Sequence, residues 1–267
     1  NQLTEGWVVR GKGIRYSDDE LDMSHGTYIA TLLIQGEALE NSDDASIKGC
    51  RIIDIPVLPK FDINETELIE NIRYAIEKNR DVRIWNLSLS LTNEASDSEY
   101  SLFASALDQI QHDYNVLICK SVGNDPSFMD NKSAGKLSTG AESIRAITVG
   151  SLNRNSDQYG YALKNHPALY SRHGPAPASV VKPDVTHFGG DLFATKPNPT
   201  TLADFDQVSD TASTDGEHLT HMVGTSFSTP KVAKNLAELD LLTANDYTYV
   251  RLKLLKSILQ AILKAQL

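Results

Sequence analysis

The strongest candidate for chemistry in this sequence is a serine that stands where a helix would begin. Ser226 lies in the segment GTSFSTP (residues 224–230), and small or apolar residues follow at mostly helical spacing. Gly224 allows a tight approach turn, and Pro230 fits the first turn of a helix, where its missing N–H costs nothing. The N–H groups and dipole at a helix start favour negative charge, so Ser226 could serve as an acyl-transfer nucleophile. Taken alone, the segment would more often be a Ser/Thr-rich helix cap without chemistry.

Two further segments carry the side chains that a serine nucleophile needs. His25 stands at the start of an apolar helical pattern, and histidine is the usual general base for a hydroxyl because its pKa is near neutral. Asn124 follows Gly123 and an apolar run over residues 116–119, so its amide could donate to an oxyanion at the end of a buried strand. Taken singly, His25 would be an ordinary packed residue and Asn124 a turn residue.

Six short motifs, in this order along the chain, resemble those of the subtilisin-like serine proteases, the subtilases. They are HGTYIA at 25–30, WNLSLS at 85–90, SVGN at 121–124, YSRHGP at 170–175, KPDV at 182–185 and GTSFSTPKVA at 224–233. The resemblance implies a serine endopeptidase with Ser226 as nucleophile, His25 as general base and Asn124 as oxyanion donor. It also implies that the substrate-binding residues are Leu87, Ser88, Leu89, Ser90 and Gly123, with the strand segment pairing with the substrate main chain.

The aspartate that completes the family's catalytic triad is missing from its expected place. In the family it ends the first strand, roughly thirty residues before the histidine. Here only 24 residues precede His25, and none forms the D-(S/T)-G pattern of the family. Asp18, Asp19 and Asp22 stand on a polar approach to His25, and Asp22 resembles a residue of the cleft rim more than a buried orienting acid. We therefore expect the triad aspartate before Asn1, and the alternative is a catalytically inactive relative that binds peptides.

Helix and strand patterns alternate along most of the chain. Strands are predicted at Ile52–Leu58, Arg83–Leu91, Val116–Val122 and Ile144–Val149, and helices after the capping pair Asn64/Glu67, over residues 102–110 and over residues 252–263. From about Asn153 to His221, loops and short strands are expected, the latter near Val180–Val181 and Val185. This succession, together with the resemblance, predicts an α/β three-layer subtilisin-like fold with a largely parallel central sheet and helices on both faces. Residues 1–267 are expected to form a single subtilase catalytic domain that lacks the family's first strand.

Composition limits the partners of this protein. The chain has 25 basic and 35 acidic residues and a net charge of −10, which argues against nucleic acid or an anionic membrane as the main partner. No apolar run reaches the length of about 18 residues that a membrane-spanning helix needs. A polypeptide substrate is the expected partner, and a regulatory protein is a further candidate.

The cellular location is predicted from weaker signals. Two cysteines, Cys50 and Cys119, do not make a disulfide framework. Tyr28, Lys231 and Asn235 replace the His and Gly residues that digestive relatives of the family carry. These features favour a bacterial cytoplasmic protease with a processing or regulatory role, and a secreted enzyme is the alternative.

No cofactor is expected in the chemistry, and structural calcium is a candidate without an assigned site. Calcium commonly stabilises members of the family. The segment Gln35–Gly49 contains Glu37, Glu40, Asp43 and Asp44, and oxygen-rich loops of this kind can hold a hard cation. The residues do not follow the family's calcium-loop pattern, so a solvated acidic loop is the preferred interpretation.

Overall fold

The structure is a computed structural model that describes residues 3–40, 51–91, 93–125 and 135–242. Its strands are β1 (Val8–Arg10), β2 (Ile52–Asp54), β3 (Ile84–Leu87), β4 (Leu117–Ser121), β5 (Ile147–Leu152), β6 (Val185–Phe188), β7 (Asp191–Ala194), β8 (Phe205–Val208), β9 (Thr211–Ser213) and β10 (Leu219–His221). Its α-helices are α1 (Ser24–Glu40), α2 (Glu65–Lys78), α3 (Leu102–Tyr114) and α4 (Thr225–Leu242).

The central sheet consists of four parallel strands in the order β3-β4-β5-β6. Parallel neighbours need a crossover connection, and α3 supplies it between β3 and β4. β1 and β2 form a separate parallel pair, whereas β7 with β8 and β9 with β10 form antiparallel pairs. The prediction of a largely parallel central sheet is therefore confirmed.

Helices cover both faces of the central sheet. On one face, Leu117 and Cys119 of β4 pack with Val232 and Leu236 of α4. On the other face, Ile118 belongs to a core formed with α2 and α3. Successive side chains of a strand point to opposite faces, so the apolar residues 117–119 of β4 reflect burial on both sides. The predicted three-layer α/β architecture is confirmed.

Two predicted strands are shorter in the structure than the apolar pattern indicated. β2 ends at Asp54 and does not reach Leu58, because Pro56 follows and has no N–H to give to a strand ladder. β3 spans only Ile84–Leu87, so residues 88–91 run on beyond the paired part of the strand. The predicted substrate-binding segment therefore lies at and just beyond the end of β3.

Side-chain hydrogen bonds fix two other element boundaries. β5 begins at Ile147 and not at Ile144, since the backbone N–H of Ile144 donates to the carboxylate of Asp108 at 3.1 Å and is held in a turn. The predicted cap of α2 is confirmed, because the side chain of Asn64 accepts a hydrogen bond from the backbone N–H of Glu67 at 2.9 Å.

The less regular part of the chain, from about Asn153 to His221, forms loops and short strands as predicted. Val185 begins β6, but the expectation of a strand at Val180–Val181 is wrong, since Val180 makes only a single bridge to Ala176 after a short 3₁₀ turn. Within the described ranges, no helix is long and apolar enough to cross a membrane.

Several predictions fall on other parts of the chain. α1 continues to Glu40, so the first residues of the predicted acidic loop are helical. Residues 41–49, Cys50 and the predicted helix over residues 252–263 lie outside the described residues. Among the described residues, no cluster of His, Cys, Asp and Glu side chains could hold a metal ion.

Candidate active site

Ser226 is the second residue of α4 and lies beside two other predicted site residues. Its half-buried hydroxyl donates a hydrogen bond to the backbone carbonyl of Ser88 at 3.4 Å. A Cβ atom at Gly224 would lie only 3.0 Å from Nδ2 of Asn124, so a glycine lets the two segments approach each other. The structure thus places Ser226 in the first turn of a helix, between the end of β3 and Asn124.

The predicted position of Pro230 is wrong. α4 already begins at Thr225, so Pro230 lies inside the helix, where it has no N–H to donate to the carbonyl of Ser226. Side chains support the helix start instead. The hydroxyls of Ser228 and Thr229 donate to the carbonyl of Thr225 at 3.0 and 2.6 Å. The beginning of α4 is therefore fixed by Thr225 and its contacts and not by the proline.

The side chain of Asn124 is oriented by α4. Its Oδ1 accepts hydrogen bonds from the backbone N–H of Thr225 at 2.9 Å and from the Thr225 hydroxyl at 3.0 Å. Because Oδ1 is engaged there, the NH₂ group of the amide is directed away from Thr225, and Nδ2 lies next to Gly224. The residue as a whole is exposed, so the amide can reach a bound substrate. Such a fixed N–H donor beside a nucleophile can stabilise an oxyanion.

The predicted substrate-binding segment is tied to the strand that leads to Asn124. The carbonyl of Leu89 accepts hydrogen bonds from Nζ of Lys120 at 2.6 Å and from the Ser121 hydroxyl at 3.2 Å. The hydroxyls of Ser90 and Ser121 also lie 3.3 Å apart. These bonds join residues 88–90 to the end of β4, so the segment that faces Ser226 has a defined position.

Gly123 occupies a position that only glycine suits. Its φ of +95° lies in the left-handed region that side chains disfavour. A Cβ atom there would also lie 2.8 Å from the side chain of Ser138. The backbone can therefore turn from β4 into Asn124 directly against Ser138.

His25 is the second residue of α1 and reaches α4 through an aromatic contact. Its ring centroid lies 5.7 Å from that of Phe227, the neighbour of Ser226, with the planes inclined at 45°. The imidazole is half-buried, and this burial lowers the pKa of His25, while the negative charge of Asp22 acts in the opposite direction. The His25 ring is therefore biased towards the neutral form that a general base requires.

The three aspartates before His25 have other partners. Asp18 pairs with Arg10 at 2.7 Å, and the exposed Asp19 interacts with the Ser17 side chain. Asp22 is also exposed, and its Oδ1 accepts a hydrogen bond from the backbone N–H of Ser24 at 2.9 Å. Among the residues that the structure describes, no carboxylate accepts a hydrogen bond from His25.

Lys120 is a further candidate functional residue, and none of the six family motifs contains it. It lies on β4, its side chain is fully buried at 0% exposure, and its Nζ donates to the carbonyls of Leu89 and Ser121 at 2.6 and 2.9 Å. Burial lowers the pKa of Lys120 to about 7, and the negative charge of the buried Glu142 opposes that shift. The available sequence signal was a lysine placed directly after the apolar run over residues 116–119, within the predicted strand Val116–Val122.

The family of this chain follows from comparison with known proteins. The model of the subtilase family, Peptidase_S8, matches residues 9–260. The chain therefore belongs to the subtilase family, as its six motifs predicted. The protein is thus a serine-type endopeptidase of the subtilisin-like class, and polypeptides are its substrate class.

Solved structures show the same fold at low sequence identity. A cold-adapted subtilisin-like serine proteinase is 19% identical, with a TM-score of 0.57 over 94% of this chain and 74% of that one. The prenylagaramide maturation protease PagA is 19% identical, with a TM-score of 0.53 over 91% of this chain and 72% of that one. The patellamide maturation protease PatA is also 19% identical, with a TM-score of 0.55 over 95% of this chain and 82% of that one. No curated protein shows a significant match to the sequence.

Proposed function

We propose that this protein hydrolyses peptide bonds through an acyl-enzyme on Ser226, with His25 as general base and Asn124 as oxyanion donor. The observation that carries the proposal is the pair of hydrogen bonds from Thr225 to Oδ1 of Asn124, at 2.9 and 3.0 Å. They orient the amide N–H₂ group beside the first turn of α4, where Ser226 lies. The backbone N–H of Ser226 and the helix dipole would add to the stabilisation of an oxyanion there.

The proton transfers are assigned to His25. As the hydroxyl oxygen of Ser226 attacks the substrate carbonyl, His25 takes the hydroxyl proton and then gives it to the leaving amine. A water molecule, deprotonated by the same imidazole, then hydrolyses the ester. In the structure the Ser226 hydroxyl donates to Ser88, so it must rotate towards His25 before it attacks. Such a loose arrangement is common in free enzymes and tightens when substrate binds.

Substrate binding is assigned to the segment from Leu87 to Ser90 and to Gly123. An extended peptide would pair with the main chain beyond the end of β3, in the manner of an added strand. The carbonyl of Ser88 lies beside the nucleophile, and the bonds from β4 to Leu89 hold the segment in place. Main-chain pairing of this kind would bring the scissile carbonyl towards Ser226.

Full activity would need an acid that orients His25. An aspartate partner fixes the tautomer and direction of the imidazole, and its loss costs about ten-thousandfold in turnover in enzymes of this mechanism. Since no described carboxylate bonds to His25, we propose that the orienting carboxylate comes from outside the described residues. The dyad of His25 and Ser226 alone would retain only weak reactivity.

A narrow processing role is supported by two of the similar structures. PagA and PatA are maturation proteases by name, and their fold extends over more than nine-tenths of this chain. We propose that this protein likewise cleaves a restricted set of polypeptides, with a regulatory partner as a further candidate. Incubation with unfolded casein tests this, because rapid and indiscriminate digestion would contradict a restricted range.

Labelling with a fluorophosphonate tests the catalytic assignment directly. The reagent should attach to Ser226 in the folded protein, and mass spectrometry of the labelled peptide should locate it. Ser226→Ala should abolish labelling with little effect on stability, and His25→Ala should slow it strongly. A folded protein that contains its orienting carboxylate and never labels at Ser226 would overturn the assignment and favour a catalytically inactive, peptide-binding relative.

A further inference from the structure

The helices that carry His25 and Ser226 meet through a second aromatic contact, deeper than the site itself. Phe227 contacts the ring of Tyr28 at a centroid distance of 4.7 Å, in addition to the ring of His25 at 5.7 Å. Tyr28 is only 1% exposed and Phe227 only 5% exposed, so both rings are packed in the interior. Phe227 thus packs against both Tyr28 and His25. A shift of Tyr28 would therefore move the Phe227 ring that the His25 ring contacts.

The hydroxyl of Tyr28 is fixed by the segment that precedes the nucleophile. It donates to the carbonyl of Asp210 at 2.8 Å and accepts from the backbone N–H of Met222 at 3.1 Å. Asp210 and Met222 flank the β9–β10 hairpin, and Met222 lies shortly before Ser226 in the chain. One side chain of α1 thus joins both ends of that hairpin.

A buried ion pair closes this set of contacts on α4. Nζ of Lys231 lies 2.5 Å from Oδ2 of Asp210, and the Lys231 side chain is only 2% exposed. Arg154 adds a second cation 3.3 Å from the other oxygen of Asp210. Lys231 lies on the same helix as Ser226, so the ion pair ties Asp210 to α4. The carbonyl of Asp210 in turn accepts the hydrogen bond from Tyr28, and the Tyr28 ring packs on Phe227. A buried ion pair adds little to stability against an apolar replacement, but it permits few alternative arrangements.

We propose that Tyr28 and Lys231 are positioning residues that set the ring of His25 relative to Ser226 by fixing α1 against α4. The inference rests on the proposed function of His25 and Ser226. No described carboxylate bonds to His25, and the described ring contact of its imidazole is the one with Phe227, so we assign the orientation of the imidazole to that contact. Proton transfer depends steeply on such geometry, and a misplacement of about 1 Å can cost on the order of a hundredfold in rate.

The test compares two tyrosine-to-phenylalanine changes. Tyr28→Phe keeps the ring but removes the hydroxyl that bonds to Asp210 and Met222. Tyr100→Phe is the matched control, since its hydroxyl also donates to a backbone carbonyl, that of Pro177 at 3.2 Å. We expect Tyr28→Phe to slow fluorophosphonate labelling of Ser226 and kcat by roughly tenfold with little change in KM. The control should keep the wild-type rates.

Two further variants separate positioning from simple loss of folding. Lys231→Met combined with Asp210→Asn removes both charges of the buried ion pair together, and Arg154, which also loses this carboxylate, is 36% exposed and stays hydrated. The double variant should reproduce the kinetic effect of Tyr28→Phe. Phe227→Leu added to Tyr28→Phe should cost no more than the stronger single change, because both act through one contact. Wild-type labelling rates in folded Tyr28→Phe, or losses that merely follow the folded fraction, would overturn the proposal.

The ionisation of His25 provides a readout that does not need activity. Burial holds the pKa of His25 below its ordinary value, and Asp22 is the charged group that opposes this effect. If Tyr28→Phe loosens α1 against Phe227, the imidazole becomes more hydrated and its pKa, followed by NMR, should rise. An unchanged pKa in all these variants refutes the positioning role even if wild-type protein never labels. A raised pKa together with absent labelling would leave the positioning role and refute only the proposed catalysis.

Discussion

The buried lysine on β4 should make the protein more stable as the pH rises above neutrality. Burial lowers the pKa of Lys120 to about 7 in the folded protein, whereas the unfolded chain has the ordinary value of 10.5. Between these two values the unfolded chain binds a proton that the folded protein does not. A rise in pH therefore favours the folded state, and below pH 7 both states carry the proton and the folded state bears the full cost of the buried charge.

The size of the effect follows from the two pKa values. Each pH unit between them contributes about 1.4 kcal/mol, so the interval from about 7 to 10.5 amounts to at most about 5 kcal/mol. Between pH 7 and 9.5 the expected gain is about 3 kcal/mol. The side chain is fully buried, so solvent does not screen this charge.

Urea denaturation at several pH values measures this effect. Lys120→Met replaces the lysine with an unbranched apolar side chain of similar length and removes the titrating group. The free energy of unfolding of the wild type should rise relative to that of Lys120→Met as the pH goes from 7 to 9.5. Lys78→Met is the control, because the Lys78 side chain is 42% exposed and its loss should leave the wild-type slope. Parallel pH profiles for the wild type and Lys120→Met would refute the reasoning.

Three further changes test the site and the fold. Asn124→Ala should lower kcat about a hundredfold to a thousandfold with little change in KM, because the amide acts mainly in the transition state. A near-normal kcat in steady-state assays would refute the role of Asn124 as oxyanion donor. Asp22→Asn should lower the pKa of His25, because the negative charge of Asp22 raises that pKa in the wild type. It should change kcat less than about threefold, because an exposed charge acts weakly. A loss of kcat near ten-thousandfold would instead identify Asp22 as the triad acid. Asn64→Ala should reduce the free energy of unfolding by about 1 kcal/mol through loss of the α2 cap, and an unchanged urea midpoint would contradict it.

The elements of the core could be predicted from sequence because their signals are local. The cap at Asn64 and the apolar spacing that follows it lie within one helix, and both are present in α2. The apolar residues 117–119 of β4 similarly indicate burial on two faces, and this signal does not depend on residues that lie far away in the chain. The order of the family motifs then predicted that distant segments lie close together. In the structure the Ser226 hydroxyl bonds to Ser88, and the neighbouring Gly224 lies against Asn124.

What the sequence could not supply are contacts between side chains that lie far apart in the chain. The start of α4 depends on Thr225 bonding to Asn124, which is 101 positions away, and so the local signal of Pro230 was misleading. The start of β5 was misplaced for a similar reason, because Ile144 is held by Asp108 on α3. The role of Tyr28 likewise depends on a bond to Asp210, 182 positions away.

Among the described residues four lysines are buried, and their partners explain why Lys120 is the one expected to link ionisation to the proposed substrate segment. Lys182, Lys231 and Lys234 each lie near a carboxylate, at 2.6, 2.5 and 3.8 Å, whereas the hydrogen bonds of Lys120 go to two backbone carbonyls. Carbonyls carry only partial charge and offset less of the cost of burying an ammonium group.

One of those carbonyls belongs to Leu89, so the proposed substrate segment is held by a charge-assisted bond only while Lys120 is protonated. We therefore expect Lys120→Met to raise the KM for peptide substrates at pH 6, where the wild type keeps that proton, and to raise it less at pH 8. An equal KM for both proteins at pH 6 would show that residues 88–90 are held in place without Lys120.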